Sequence, residues 1–432
     1  MQGPREESSI QAKVCVFRIG AGKNMRITLA GSTFEKSVGG ITTYNRFLAS
    51  KLLLRGHKLQ IIAPDIVAGV FREDNCLFVP GPVPERVADE PKWARSMFRA
   101  ILSFDPDVII SSNHSTLSSL FPSFSRKRIC ISISHFYDGI IAKTAAIYPG
   151  ETDWIVCISQ SGKDFLDHYI NRCCGNTVVL LNSIEDLLDF DRIFSEKVLA
   201  QELVVCFPGG SNRIKRADLF AKIVCHCSRF ENVSFKWLGD ARSHAVRLRG
   251  NKRVEFTGQI MVDAAQEIIA SSHVLVLPSR GEGCPMALLE AMRSGTVPLV
   301  SACPSAMRDI VRTDYNGYVI KSNNAAEYIA RIEELRKDVN MRNRLACGAR
   351  ETFLSKLNPE QWIESLERLF TPRNGCARGD KDEFKGEKLL RWQSRPGRWY
   401  RPTASYLRQR LGLLDRRGIC DHMGRKLHAC EN

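Results

Sequence analysis

Apolar residues in this chain fall in short runs separated by turns, and between the runs lie stretches with helical spacing. The first clean run, 25–30, predicts a strand. A loop at 31–40 follows, and from about residue 42 Tyr44, Phe47, Leu48 and Leu52 fall on one helical stripe, with Gly56 suited to stop it. Residues 59–63 predict the next strand and close a β-loop-α-β unit. Strands at 108–111, 129–134, 154–159, the last with a helix behind it, and 178–181 extend the series. A second series begins with a strand at 203–207. It continues through a helix at 217–227, strands at 235–238 and 254–256, a helix at 264–270 and a strand at 274–277. A helix and a strand at 297–300 follow, and a helix at 359–370 ends the globular part. Two series of short apolar strands alternating with helices predict an α/β protein of two doubly wound parallel-sheet domains, whose ligands bind beyond the carboxyl ends of the strands. Two such sheets imply a cleft between them.

The expected division is an N-terminal extension at 1–24, a first domain at 25–183, a second at 184–371 and a basic tail at 372–432. The final helix is placed to pack back on the first domain. A length of 432 residues suits two domains. At 44% hydrophobic and 25% charged residues the composition is globular, which argues against disorder as the default. No apolar run approaches the roughly 18 residues of a spanning helix, and the start lacks a signal-peptide pattern, so the expected location is the cytoplasm. The 15 cysteines are scattered through apparent strands and helices and are expected to be reduced. Cys225-His226-Cys227 with Cys173-Cys174 lacks the paired spacing of a zinc site, and no metal site is expected.

Charge changes the picture only at the end of the chain. Of the formal net charge of +15, residues 373–432 carry +8, from 15 Lys or Arg against 7 Asp or Glu. Arg391-Trp392 and Arg398-Trp399-Tyr400-Arg401 interleave aromatics with arginines. That pattern fits an anionic membrane surface, which would make the protein peripheral at the inner face of the membrane, and it also fits stacking on nucleic-acid bases. The membrane surface is the expected partner and nucleic acid is not. Asp189-Phe190-Asp191 imitates a metal-binding pair but stands in a polar linker before a helix, where a solvated turn is expected.

The candidate chemistry lies between 274 and 302. The strand 274–277 runs into Pro278-Ser279-Arg280-Gly281-Glu282-Gly283-Cys284. Pro285 then fits a first helical position and Gly295 the position just past the helix end. Glu282 falls in a glycine-flanked turn, and Glu290 lies about 7.5 Å along the helix. Glycines let backbone approach a ligand closely, a helix N-terminus attracts anions, and carboxylates accept charge-assisted bonds from sugar or ribose hydroxyls. Either glutamate alone reads as a solvated surface acid. Together in this frame they read as a site.

The run Pro278-Ser279-x-x-Glu282-Gly283-x-x-x-x-Leu288-x-Glu290-Ala291-Met292-x-x-Gly295-x-x-Pro298-Leu299-Val300 resembles the Glu-x7-Glu motif of the glycosyltransferases group 1 family, over roughly residues 25–371. The resemblance implies the GT-B fold, two Rossmann-like domains facing across a cleft, with the nucleotide held mainly by the second. It implies transfer of a sugar from a nucleotide-sugar donor to a hydroxyl of a glycan or lipid-linked acceptor, with retention at the anomeric carbon. The setting it suggests is cell-surface polysaccharide or glycolipid synthesis. Neither a cofactor beyond the donor substrate nor a divalent metal is implied. Glu290 would hold the ribose hydroxyls, Glu282 the transferred sugar, Lys215 with Arg213 the diphosphate, and His135 would lie near the sugar. Contacts to the nucleotide sugar are implied for Gly39, Gly40, Gly209, Gly283, Cys284, Pro285, Met286 and Leu289. Ser37-Val38-Gly39-Gly40 resembles the family's phosphate-side glycine loop. Pro208-Gly209-Gly210-Ser211-Asn212-Arg213-Ile214-Lys215 resembles its Gly-Arg…Lys signature, except that Gly210 occupies the usual arginine position. Asp309 stands where relatives carry Glu, with Ser305-Ala306 in place of their glycine pair, and Asn182 matches a family Asn. A nucleotide-sugar epimerase or a phosphorylase could use the same cleft.

Overall fold

Strand order decides where this fold can hold a ligand. The computed structural model describes residues 24–31, 34, 39–63, 75–80, 90–137, 139–170, 175–248, 250–321 and 324–385. The first lobe runs β1 (Arg26–Gly31), α1 (Gly40–Leu54), β2 (Lys58–Ala63), β3 (Cys76–Pro80), α2 (Glu90–Phe104), β4 (Val108–Ser112), α3 (Ser115–Leu120), β5 (Ile129–Ser134), α4 (Gly139–Thr144), β6 (Trp154–Cys157), α5 (Gln160–Tyr169) and β7 (Thr177–Val179). Its strands lie in the order β3-β2-β1-β4-β5-β6-β7, and every pairing is parallel.

The second lobe runs α6 (Phe190–Leu199), β8 (Leu203–Phe207), α7 (Ala217–Cys227), β9 (Val233–Leu238), α8 (Arg242–Arg247), β10 (Val254–Gly258), α9 (Val262–Ser271), β11 (Val274–Leu277), α10 (Met286–Arg293), β12 (Val297–Ser301), α11 (Met307–Ile310), β13 (Tyr318–Ile320), α12 (Ala325–Lys337), α13 (Val339–Lys356) and α14 (Pro359–Glu367). The order β10-β9-β8-β11-β12-β13 repeats the first sheet's pattern, again all parallel. Each central strand is covered by helices on both faces, so β5 and β11 are buried along their whole length.

The two lobes are joined by more than a linker. One apolar cluster runs from Leu48 and Ile158 in the first lobe to Met286, Leu288 and Met292 in the second. The final helix α14 leans on α1 of the first lobe. Trp362 packs edge-on to Tyr44 and tilted against Phe47, with ring centroids 5.8 and 5.1 Å apart. Lys51 reaches both Glu360 at 2.9 Å and Glu185, in the segment between the lobes, at 2.8 Å. Arg55 pairs with Glu367 at 3.0 Å.

Beyond α14 the chain does not leave the molecule at once. Ala377 N–H donates to Gly150 O at 2.9 Å, and Arg126 N–H donates to Gly379 O at 2.7 Å. Arg378 is buried against Asp153, donating as well to Ser125 O at 3.1 Å and Cys130 Sγ at 2.9 Å. Asp382 takes Arg128 at 2.8 Å and Ser125 N–H at 2.7 Å, and the Phe384 ring lies 5.7 Å from that of Phe98. The first part of the expected basic tail, from 372 through Lys385, is thus tied to the first lobe. The rest, with Arg391-Trp392 and Arg398-Trp399-Tyr400-Arg401, lies outside the described residues, as do residues 1–23, Ser37, Val38 and Cys173-Cys174.

Other differences have local causes. β6 stops at Cys157 rather than 159, because Ser159 turns out of the strand to cap α5, its hydroxyl accepting Gly162 N–H at 3.0 Å. Pro285 is the residue before α10 rather than its first, and Gly295 follows its end with φ +63° as expected. Asp189 precedes α6 and Asp191 is in its first turn, both exposed, with Arg192 near. No helix among the described residues is long and apolar enough to cross a membrane.

Candidate functional site

In both sheets the order of connection reverses between two central strands, β1 and β4 in the first and β8 and β11 in the second. Loops leaving the carboxyl ends of such a pair diverge to opposite faces and open a crevice. In the second lobe those loops carry the residues singled out by the sequence. Four buried apolar residues hold β11 in the sheet, and Pro278, which has no N–H to extend the ladder, ends it. Lys215, after β8, then meets Glu282, after β11, with Nζ 2.5 Å from Oε1. Ser279 Oγ donates to the same oxygen at 2.7 Å, and Arg280 N–H donates to Ile214 O at 2.8 Å, tying the two loops together. The Lys215 side chain is 28% exposed and that of Glu282 10%, so a charge pair stands at a mostly closed crevice wall.

The neighbouring positions divide. Arg213 is exposed, and its side chain has no hydrogen-bond or ion-pair partner among the described residues, so the loop leaves it free to turn toward the crevice or away. Gly209 lies directly over the Phe207 ring. Gly210 has φ +50° and sits 3.2–3.3 Å, measured from an added Cβ, from the Asp240 backbone. Its carbonyl accepts Trp237 Nε1–H at 3.0 Å. An arginine cannot take that backbone without strain, which accounts for the departure from the usual signature.

Glu290 lies on the fifth residue of α10, and the helix buries it to 7% exposure. The one hydrogen bond to its carboxylate among the described residues is from Gln266 Nε2 at 3.3 Å, and Gln266 Oε1 in turn accepts from Arg293 at 3.3 Å. Burial holds the Glu290 carboxyl above its ordinary range, against the opposing pull of Arg293 and Gln266. Gln266, on α9, had no signal in the sequence beyond a helical position. Leu289, expected at the nucleotide, is instead fully buried in the core, packed in the apolar cluster that joins the two lobes.

Residues of the first lobe close over this wall. A Cβ on Gly283 would lie 2.4 Å from His135 O and 2.8 Å from Ile158, so only glycine permits the two lobes to approach so closely here. Tyr137, not anticipated from the sequence, sets its hydroxyl against Gly281. His135 is buried at 6% exposure, with Nε2 2.9 Å from Ser112 Oγ and its ring edge-on to Tyr44. Ser112 donates its one proton to Asn45 Oδ1, so His135 Nε2 carries a proton and Nδ1 the lone pair. Burial lowers its pKa to about 3, which keeps the imidazole neutral. Gly39 and Gly40 open α1, and an added Cβ at Gly40 would be 3.4 Å from Met286 Cγ, the first residue of α10. Two helix N-termini therefore converge on the crevice, α10 with no side chain capping it. Cys284 is buried, its thiol pushed up to about 12 and so uncharged, and its carbonyl accepts Asn182 Nδ2–H at 3.3 Å. Asp309 Oδ2 accepts Gln160 N–H at 2.8 Å at the start of α5, across the lobe boundary.

A buried carboxylate with one weak partner carries a stability cost that the protein keeps. The Glu290 carboxyl is raised above its unfolded value, so its penalty is full at pH above the raised value and absent once the unfolded group is also protonated. Glu290→Gln is expected to stabilise the ligand-free protein at pH 8, on the order of 1 kcal/mol, and to give no gain near pH 4. Thermal melts at the two pH values read this directly. An unchanged or lowered melting temperature at pH 8 would contradict it.

Residues 202–338 match the family described as Glycosyl transferases group 1, and residues 38–185 match Glycosyltransferase Family 4, one in each lobe. An uncharacterized glycosyltransferase of Methanocaldococcus jannaschii is 22% identical over 224 residues, 51% of this chain and 59% of that protein. The lipopolysaccharide 1,6-galactosyltransferase of Escherichia coli K12 is 25% identical over 257 residues, 55% of this chain and 68% of that protein. A D-inositol 3-phosphate glycosyltransferase of Streptomyces bingchenggensis is matched over 32% of its length, so the chain spans less than two thirds of the length of both this relative and the M. jannaschii one. Among solved structures, sucrose-phosphate synthase of Thermosynechococcus elongatus superposes with a TM-score of 0.65 at 17% identity, over 80% of this chain and 98% of that one. Anabaena HepE in complex with UDP-glucose superposes at 0.62 and 15% identity, over 80% and 100%.

Proposed function

The chain belongs to the group 1 glycosyltransferases, and from that membership we propose that it moves a sugar from a nucleotide-sugar donor to a hydroxyl of a glycan or lipid-linked acceptor, with retention of anomeric configuration. The observation that carries the proposal is the contact of Lys215 with Glu282 at the reversal point of the second sheet, facing two converging helix N-termini. That combination suits an anionic leaving group beside a hydroxyl-rich one. HepE, solved with UDP-glucose, supports a nucleoside diphosphate sugar as donor. The E. coli galactosyltransferase, named for lipopolysaccharide, supports a cell-surface glycan or glycolipid as acceptor.

In this reading Glu290 accepts from the ribose hydroxyls, exchanging a poor partner, Gln266, for two good ones. Lys215 holds the diphosphate. Arg213 turns inward to share that charge, and the neutral His135 offers its Nδ1 lone pair to a sugar hydroxyl. As the bond from the anomeric carbon to the diphosphate breaks, negative charge grows on the leaving oxygens, and Lys215 with the α1 and α10 N-termini stabilises it. The acceptor oxygen forms its bond on the face the diphosphate leaves, and the acceptor proton passes to the departing phosphate oxygen. Protein cations take the part a divalent metal plays elsewhere. Glu282 is freed from Lys215 when the diphosphate arrives, and it then accepts from the transferred sugar.

The test is a panel of UDP-, GDP- and ADP-sugars with Glu290→Ala as the control. Glu290→Ala is expected to weaken donor binding about 10- to 100-fold, as loss of charge-assisted bonds to two hydroxyls implies. Binding as tight as wild type would remove Glu290 from the ribose. The anomeric configuration of the product, read by NMR, tests retention.

A further inference from the structure

The second sheet has a cavity at its other edge, away from the crevice. Its volume is about 260 Å³, and it is lined by Leu199 at the end of α6, Leu203 at the start of β8, Asn232 just before β9, and Arg336, Val339 and Arg342 around the turn from α12 to α13. These are amino ends of strands, whereas Lys215 and Glu282 follow carboxyl ends. A five-residue strand separates the two edges by roughly 17 Å, so the cavity is no extension of the proposed donor site.

Arg342 is the unusual member. It is 6% exposed, yet no carboxylate pairs with it among the described residues. One bond satisfies it in part, Nη1 to Leu335 O at 3.2 Å, and its buried Nε has no partner. Burial lowers its pKa with no nearby acid to oppose that effect. A buried guanidinium left this way is costly; of the comparably buried arginines, Arg378 is paired with Asp153, and Arg293, though it forms no ion pair, donates to both Glu185 O and Gln266 Oε1. Beside it Arg336 also has a buried, unpartnered Nε, with its guanidinium 5.4 Å from the centre of the Phe230 ring. Capping the end of α12 explains one N–H of Arg342. It does not explain a second arginine or the cavity they share.

We propose that this cavity binds a phosphate group carried by a small molecule, with Arg342 and Arg336 as its two cationic ligands and Asn232 as a neutral donor. Two guanidinium forks match a dianion, and their planar geometry suits phosphate oxygens. The volume is enough for a phosphate with a few further atoms, and Leu199, 81% exposed, and Val339, 42% exposed, give the mouth an apolar rim for the part that carries it. Such a site would let a phosphorylated metabolite bind the second lobe while a nucleotide sugar occupies the crevice.

The experiment is titration of the full chain with inorganic phosphate at constant ionic strength, followed by calorimetry and by phosphorus NMR line width, with glucose 6-phosphate as a larger probe. Wild type and Lys215→Ala are expected to bind with the same affinity. Arg336→Ala, at a half-buried position that leaves the Arg342 bond to Leu335 O in place, is expected to weaken binding at least tenfold, and Arg342→Gln to abolish it. If Arg342→Gln fails to fold, Arg336→Ala and Arg336→Lys carry the test. Absence of saturable binding to wild type, loss of binding in Lys215→Ala, or full affinity in Arg336→Ala would each overturn the assignment.

Discussion

Lys215→Ala is expected to lower kcat by about two to three orders of magnitude, the usual cost of removing one group aimed at charge that develops in the transition state. Before donor arrives, Lys215 stands 2.5 Å from Glu282, so its charge is already placed at the crevice wall and exchanges that carboxylate for the diphosphate when donor binds. Its loss is felt most where that charge is largest, so kcat should fall more than donor KM rises. Lys215→Arg keeps the charge but moves it along a longer, planar group, and partial activity is expected. The measurement is steady-state kinetics with the preferred donor from the sugar panel. A kcat within tenfold of wild type would remove Lys215 from the diphosphate, and a change confined to KM would make it a ground-state contact only. Glu282→Gln is the informative partner, because Ser279 can still bond to that side chain while the ion pair is gone.

The second large effect is on stability. Arg378→Ala is expected to destabilise the first lobe by about 3–5 kcal/mol, the range for breaking a buried ion pair by removing one partner. Both side chains are fully buried, and the change leaves Asp153 with only backbone donors, Cys130 N–H at 2.7 Å and Arg373 N–H at 3.0 Å. Removing both charges together, in Arg378→Met with Asp153→Asn, should cost less than removing the arginine alone. Urea denaturation followed through the first lobe's tryptophans tests the prediction. A loss under 1 kcal/mol for the single variant would show that residues 372–385 are an ornament on the lobe rather than part of it.

What could be read from the sequence was set by the range of the interaction. Central strands such as β5 and β11 were visible because burial on both faces requires an unbroken apolar run. The loop and helix around Glu282 and Glu290 were visible because proline, glycine and strand chemistry act within a few residues. Lys215 and Glu282 could each be named, but their contact spans 67 residues and follows only from the strand order. Other elements passed unnoticed. α2 carries a helical stripe, Trp93, Ala94, Met97, Phe98 and Ile101, that pattern reading could have found. β3 and β13 are short edge strands with one neighbour each, so little of their pattern is imposed by burial. The residues from 372 were masked by composition. An excess of basic residues predicts a solvated tail, and nothing local shows that one arginine among them has a buried acid waiting more than 200 residues away.

That last pairing sets an order on synthesis. The first lobe is nearly all made by residue 183, but Arg378 emerges only after the whole second lobe has been translated. At about 5–20 residues per second the interval is on the order of 10–40 s. During it Asp153 has no counter-ion, and the surface later covered by Phe384 is open to water. A nascent chain paused before residue 378 should therefore hold a loosened first lobe beside a finished second one, and the last step of folding is a segment laid over a sheet made long before it.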